Sequence, residues 1–304
     1  MDKPSQGTID SIHQRLLNKA RETNRPFNEL LQYYAMEKFL LRMSKLANAD
    51  DYVLKGALLL RATGISDIRP TRDIDVLKYG NSTIPDLEEN IVECCKINVE
   101  EDGLVFDPES VEGEEIREQE AYDGVRIKVR GNLGNARITI QIDIGFGDVI
   151  TPEPLWVEYP TMLDNNKPKI QAYTLESAIA EKYQAMVSFD LANSRMKDFY
   201  DIYFLSENHS FEGNELQKAI KETFERRETD IPIRIPTALS GDFFEDEAKV
   251  KQWNAFLSKI SDNQVPKDHL KVADRLKVFL WPVSEALANS EHFDKYWEAG
   301  ADWN

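Results

Sequence analysis

The sequence predicts an α+β fold, and three observations predict it. Helical periodicity fills the first 48 residues or so, alternating strand-like runs crowd the middle, and helical periodicity returns from residue 174 to residue 287. That segregation of helices and strands describes an α+β core with helical additions at both ends. A length of 304 residues fits one large or two modest domains.

Taken in order, Ile9, Ile12, Leu16 and Leu17 recur at three-to-four spacing, and Pro26 opens a second run through Leu30, Leu31, Tyr34, Phe39, Leu40 and Met43. Two N-terminal helices follow, over 1–48. Asn48-Ala-Asp-Asp51 is a polar break. Tyr52-Val53-Leu54 then reads as a short strand, Gly56 to Gly64 as a helical turn or short helix, and Asp73-Ile74-Asp75-Val76-Leu77 as another strand. A helix is expected over Ile84 to Cys95. Val125, Ile127 and Val129, then Ile138, Ile140, Ile142 and Ile144, mark two half-buried strands, with Gly131-Asn132-Leu133-Gly134-Asn135 as a hairpin-type connection. Beyond the break Thr151-Pro-Glu-Pro154, helices are expected from Thr174 to Val187, Met196 to Leu205, Glu212 to Arg227, Lys249 to Ile260 and Leu270 to Leu287. The hinge is placed at Asn165-Asn166-Lys167-Pro168, which divides a core over 49–168 from a helical C-terminal domain over 169–304.

Composition narrows the class. Hydrophobic residues make up 41% and charged residues 30%, with 14 Gly and 13 Pro, which excludes bulk disorder and fibrous repeats. No apolar run approaches the ~18 residues of a membrane helix, and Met1-Asp2-Lys3-Pro4-Ser5-Gln6 lacks a basic flank followed by an apolar stretch. The adjacent cysteines, Cys94 and Cys95, cannot staple distant parts of the chain and fit a reducing compartment. A soluble, unexported, cytoplasmic protein with no membrane partner is the expectation. The net charge of −17 argues against a protein that coats nucleic acid, but −12 of it falls between Asp86 and Glu120. The rest is near neutral, so a local basic surface for an anionic substrate is compatible with it. The acidic stretch itself reads as a solvated face.

The chemistry starts at Asp73 and Asp75. A strand's period of two puts both carboxylates on one face and Ile74 and Val76 on the other. Asp143 has the same setting in Ile138-Thr-Ile-Gln-Ile-Asp-Ile144. If the two strands are neighbours, three carboxylates converge, and such a set holds one or two Mg²⁺ or Mn²⁺ ions. The competing reading is that strand-end acids face solvent. Lys55-Gly56 stands at a strand-to-helix junction, where backbone N–H groups favour a phosphate, although a tight turn needs glycine for conformational reasons alone.

Two further polar features lie in helices. Lys182 falls within the apolar stripe Leu175, Ala178, Ile179, Tyr183 and Met186, and so needs an anionic partner or a route to water. Lys197-Asp-Phe-Tyr-Asp-Ile-Tyr-Phe-Leu205 is apolar nearly all round yet carries Asp198 and Asp201 on one edge. A structural ion pair between Lys182 and Asp201 and an active-site role are both open, and one pair can do both jobs. Tyr122, Arg126, Lys128, Arg130 and Arg137 straddle the hairpin, either as a cationic wall for nucleotide or RNA or as a solvated surface. His13, His209, His269 and His292 lack metal-ligand spacing, and no G-x-S-x-G, Walker A or G-x-G-x-x-G motif is present.

Together, Leu54-Lys55-Gly56-Ala57, Arg69-Pro-Thr-Arg-Asp-Ile-Asp75, Gln141-Ile-Asp-Ile144, Ala180-Glu-Lys182 and Lys197-Asp-Phe-Tyr-Asp201 resemble, in order and spacing, the AbiEii/AbiGii toxin family of nucleotidyltransferases. Phe224-Glu-Arg-Arg227 and Gln252-Trp-Asn-Ala-Phe256 are similar to the C-terminal part of one branch. The resemblance implies a nucleotidyltransferase-like mixed β-sheet core of the DNA-polymerase-β type, flanked by N-terminal helices and a helical C-terminal domain. It also implies a nucleoside triphosphate substrate with Mg²⁺ (or Mn²⁺), and a toxin role in a toxin–antitoxin or phage-defence, abortive-infection system with a cognate antitoxin. Some relatives imply RNA, the 3′ end of tRNA, as the acceptor. Carried over by position, Asp73 and Asp75 are the catalytic, metal-binding pair, with Asp143 as the third metal carboxylate. Lys55, Gly56, Ala57, Arg72 and Lys182 are nucleotide-binding residues, and Lys182 and Asp201 complete the catalytic set. The chain departs from the family's Gly-Gly-Ser/Thr at Gly56-Ala57-Leu58, which removes one hydroxyl contact to phosphate. Transfer to a protein or small molecule, or a catalytically silent protein that binds a partner through the acidic stretch, are the competing readings.

Overall fold

Ser5 starts the first helix by accepting a hydrogen bond from the Thr8 N–H at 3.1 Å, and Asn24, at φ 52°, ends it in a left-handed turn. This helix, α1 (Gln6–Thr23), buries Ile12, Leu16 and Ala20; Pro26 then presets the entry to α2 (Phe27–Met43), which is buried along almost its whole length from Leu30. The computed structural model describes residues 4–63, 70–80, 82–118, 122–164, 166–260 and 265–304. Gly64, Arg69, Glu120 and Asn165, which enter the sequence reading, lie outside the described residues. The chain divides into two units, one of residues 1–147 and 155–172, the other of residues 148–154 and 173–304.

The first unit is a mixed sheet with helices. After α2 come β1 (Tyr52–Lys55), α3 (Gly56–Ala62), β2 (Asp73–Lys78), α4 (Ile84–Lys96), β3 (Leu104–Phe106), β4 (Glu112–Glu118), β5 (Tyr122–Leu133), β6 (Ala136–Phe146), β7 (Leu155–Glu158) and β8 (Lys169–Ala172). The strand order is β3-β5-β6-β2-β1-β8-β7, with β4 also pairing β5. The β2–β6 and β1–β8 pairs are parallel and the rest antiparallel, so the expected mixed sheet is present. Alternation decides its faces. Ile138, Ile140, Ile142 and Ile144 on β6, and Val125, Ile127 and Val129 on β5, are all buried, while the residues between them turn the other way.

Two local readings change. The connection expected over Gly131–Asn135 is a two-residue turn, Gly134-Asn135, with Gly134 at φ 56°; Gly131, Asn132 and Leu133 remain in β5 and pair with β3. The acidic stretch is also less uniformly solvated than its charge suggests. Asp102 is buried, and both its oxygens face the Arg42 guanidinium, at 2.5 and 3.3 Å. The stretch contains the strands β3 and β4, which did not read as strands: β3 is an apolar run of only three residues, Leu104-Val105-Phe106, and the glutamates of β4 carry little hydrophobic signal.

The second unit is helical: α5 (Leu175–Phe189), α6 (Met196–Asn208), a short strand β9 (Phe211–Glu212), α7 (Gly213–Arg226), α8 (Gly241–Glu245), α9 (Glu247–Leu257), α10 (His269–Ala288) and β10 (Tyr296–Trp297), which pairs β9. Thr174 and Asp268 cap α5 and α10 through their side chains. Phe199, Tyr200, Phe243, Trp253 and Trp297 fill the core. Among the described residues no helix is long and apolar enough to cross a membrane.

Candidate active site

The first unit brings Asp73, Asp75 and Asp143 together. In β2, Ile74 and Val76 are buried while Asp73 and Asp75 stand half-buried on the opposite face. The parallel register of β2 on β6 sets Asp75 directly beside Asp143. One carboxylate oxygen from each of the three lies within 4.8 Å of the others, the sole such cluster of potential metal ligands among the described residues. Three carboxylates so close repel one another unless a cation lies among them, and all-oxygen donors suit Mg²⁺ or Mn²⁺. The donor set therefore fits the cation that the sequence led one to expect.

Each carboxylate is held by its neighbours. Asp73 Oδ1 accepts from the Thr71 hydroxyl and from the Arg72 N–H, both at 2.9 Å. The segment carrying them is pinned by α2. The Thr71 N–H donates to the Tyr33 hydroxyl at 3.0 Å, and Gln32 Nε2 donates to the carbonyls of Thr139 (2.9 Å) and Arg72 (3.3 Å). The guanidinium groups of Arg25 and Arg61 both approach the Tyr33 ring, each 5.0 Å from its centre. Asp75 is flanked in register by Lys55 of β1, and it packs against Gly56 so closely that a Cβ there would lie 2.6 Å from Asp75 Cγ. Gly56 has φ +67°, a conformation that glycine adopts without strain. Ala57 and Leu58, which follow it, are buried, and Leu58 is part of the core. The Arg72 side chain is exposed.

Asp143 is held differently. Arg126 Nε and Nη2 donate to its two oxygens at 2.8 and 2.7 Å, and Gln141 Nε2 approaches at 3.4 Å. The hydrogen bonds to Asp143 hold the Arg126 guanidinium above its ordinary range. The basic residues of the hairpin are thus largely neutralised: Lys128 pairs with Glu114 at 2.7 Å and Arg130 faces Asp107 at 3.7 Å, while Arg137 is exposed.

The remaining expected site residues belong to the second unit. Lys182 Nζ lies 2.8 Å from Asp201 and 3.0 Å from Asp198, and Arg195 Nε lies 2.6 Å from Asp198. Both aspartates are fully buried. The Lys182–Asp201 pair is therefore present, but within a four-member network that also takes in Asp198. Asp198 is pushed up by burial and pushed down further by Lys182, Arg195 and Lys197, which leaves its carboxyl well below the usual range. Elsewhere in this unit, Arg227 pairs with Asp148 (3.1 Å) and Glu181 (3.4 Å), and Phe256 packs edge-on against Tyr200.

Sequence reasoning did not single out Gln32, Tyr33 and Thr71, and it left Arg126 as part of either a cationic wall or a solvated hairpin surface. A signal for Arg126 existed: counting outwards from Leu133 opposite Ala136 lands Arg126 on Asp143. Tyr33 and Gln32 carried none, since their partners are 38 and 107 residues away.

A mixed sheet that presents three converging carboxylates beside a strand-to-helix glycine defines a nucleotidyltransferase core. Residues 38–289 match the family described as the nucleotidyl transferase AbiEii toxin of type IV toxin–antitoxin systems, and the chain belongs to that family. No protein of curated function matches the sequence. Among solved structures, JHP933 from Helicobacter pylori shares 15% identity over 95% of this chain and 96% of its own, with a TM-score of 0.48. A candidate nucleotidyltransferase from H. pylori shares 16% over 88% of this chain and 99% of its own, also with a TM-score of 0.48.

Proposed function

We propose that this nucleotidyltransferase transfers a nucleotide from a nucleoside triphosphate to RNA, at the 3′ end of tRNA, and acts as the cytoplasmic toxin that a cognate antitoxin restrains, in phage defence by abortive infection. The observation that carries the reading is the convergence of Asp73, Asp75 and Asp143 within 4.8 Å. Mg²⁺ or Mn²⁺, when bound by these carboxylates, supplies charge neutralisation for the triphosphate and lowers the cost of hydroxyl attack. The acceptor oxygen bonds to the α-phosphorus, the bond to pyrophosphate breaks, and the hydroxyl proton is lost to solvent or a carboxylate.

The chain's own residues do the positioning. Thr71 and the Arg72 N–H fix Asp73, and the missing side chain of Gly56 leaves room for the Asp75 carboxylate. Lys55, Gly56, Ala57 and Arg72 serve as the nucleotide-binding segment. Lys182 serves as the triphosphate-contacting lysine and Asp201 as the aspartate that orients it, 2.8 Å away. The boundaries 1–48, 49–168 and 169–304 are proposed as the functional division into N-terminal helices, catalytic core and helical domain.

The test is incubation of the purified protein with Mg²⁺, each α-labelled nucleoside triphosphate and total bacterial RNA. Label on a discrete RNA of tRNA size is expected. Label on protein or on a small molecule replaces the acceptor, and no label on any species overturns the reading.

A further inference from the structure

We propose that Arg126 is a positioning residue which controls how the carboxylate cluster takes its cation, an inference that rests on the metal-dependent reading above. Both oxygens of Asp143 are engaged by one guanidinium, Nε on Oδ1 and Nη2 on Oδ2. Asp73, by contrast, is held through Oδ1. A cation that recruits all three carboxylates must share Asp143 with Arg126 or displace it. Arg126 also places a positive charge beside a cluster that otherwise carries three negative ones, and so offsets part of the repulsion before any cation arrives.

The arrangement is built rather than incidental. The hairpin register puts Arg126 directly opposite Asp143, the antiparallel partner strand β4 puts Glu114 on its other side, and Glu114 is itself paired with Lys128 at 2.7 Å. Gln141 adds a third donor to Asp143. The Asp143 side chain is 14% exposed and that of Arg126 31%, so the pair is screened from water more than a surface ion pair is. A two-point fork fixes both the direction and the rotation of a carboxylate, which one lysine ammonium does not do. In this account Asp73 and Asp75 are the primary cation ligands, and Asp143 is a tethered third whose availability Arg126 sets.

The consequence has an unusual sign: removing Arg126 tightens cation binding while it impairs turnover. In the full-length protein, Mn²⁺ titrated by the electron paramagnetic resonance of the free ion should bind Arg126→Gln about tenfold more tightly than wild type, because the ion no longer competes with a charge-assisted fork for the Asp143 oxygens. Arg126→Lys keeps the charge but loses the fork, and should fall between the two; it serves as the folded comparison if the glutamine variant is unstable. In an Asp143→Asn background, Arg126→Gln should change Mn²⁺ affinity by no more than about threefold. Unchanged or weaker Mn²⁺ binding by Arg126→Gln overturns the proposal, and so does a full tenfold gain that persists without the Asp143 carboxylate. Asp73→Asn/Asp75→Asn separates the two readings. If wild type binds Mn²⁺ and this double variant does not, but Arg126 has no influence, the tether is refuted and the metal site stands. If wild type does not bind Mn²⁺, both readings fall.

Discussion

Gly56 and Asp75 are in contact across the β1–β2 pair, and the contact depends on the absence of a side chain: a Cβ on Gly56 would lie 2.6 Å from Asp75 Cγ and 2.8 Å from its Cβ. Real atoms do not approach so closely, so the glycine and the aspartate are one structural unit. It joins the turn expected to face a phosphate to the carboxylate expected to face the cation.

Gly56→Ala should therefore fail in two ways at once. An alanine at φ +67° costs about 1–2 kcal/mol of backbone strain, and its methyl group displaces the Asp75 carboxylate. Nucleotidyl transfer should fall by at least about a hundredfold, since a misplacement of about 1 Å is enough for that. Thermal unfolding should drop by only a few degrees. Equal activity in the alanine variant would mean that Asp75 is not placed by this contact.

Asp198 gives the protein an acid sensitivity of stated sign. Burial raises its carboxyl, Lys182, Arg195 and Lys197 lower it by more, and the folded value ends well below that of the unfolded chain. A depressed carboxyl stabilises the fold fully above about pH 4 and ceases to do so as pH falls through the folded value. Urea midpoints of the wild type should thus fall below about pH 4. Asp198→Asn should already lose about 3–5 kcal/mol at pH 7, because Lys182 and Arg195 lose a buried counter-charge, and its midpoint should depend less on pH in the acid range. Parallel pH profiles for the two proteins would assign the acid loss to other groups.

How much of this was legible in the sequence follows from the range of each interaction. Alternation along β2 and β6 told which face each aspartate takes, because side-chain period is a local property. That Asp75 lies beside Asp143 was not local: β2 and β6 are separated by α4, two short strands and β5, and only the assembled sheet makes them neighbours. The Lys182–Asp201 pair was legible from two buried charges in apolar helices, whereas the part of Arg195 was not, since an arginine before a helix looks solvated. The acidic strand β4 escaped because glutamate hides strand character, and with it went the chance to see that Glu114 and Asp143 neutralise the hairpin's bases.

Tyr33 tests the part played by α2. Its hydroxyl accepts from the buried Thr71 N–H, which precedes the donors that hold Asp73. Tyr33→Phe leaves that N–H without its acceptor, at a cost of about 1–3 kcal/mol. Chemical denaturation should show this loss, and transfer should slow several-fold with little change in KM for the triphosphate. A loss of stability with unaltered turnover would show that α2 supports the fold but does not position the Asp73 carboxylate.

The claim that matters most is that Asp73 and Asp75 support nucleotidyl rather than phosphoryl transfer, and a two-label experiment reads it directly. The purified protein is incubated with Mg²⁺, RNA and a triphosphate labelled at either the α or the γ phosphorus, beside Asp75→Asn protein shown to be folded. Label from the α position should become covalently attached to acceptor, label from the γ position should leave as pyrophosphate, and Asp75→Asn should do neither. Attachment of γ label, or α label transferred equally well by Asp75→Asn, would contradict the account.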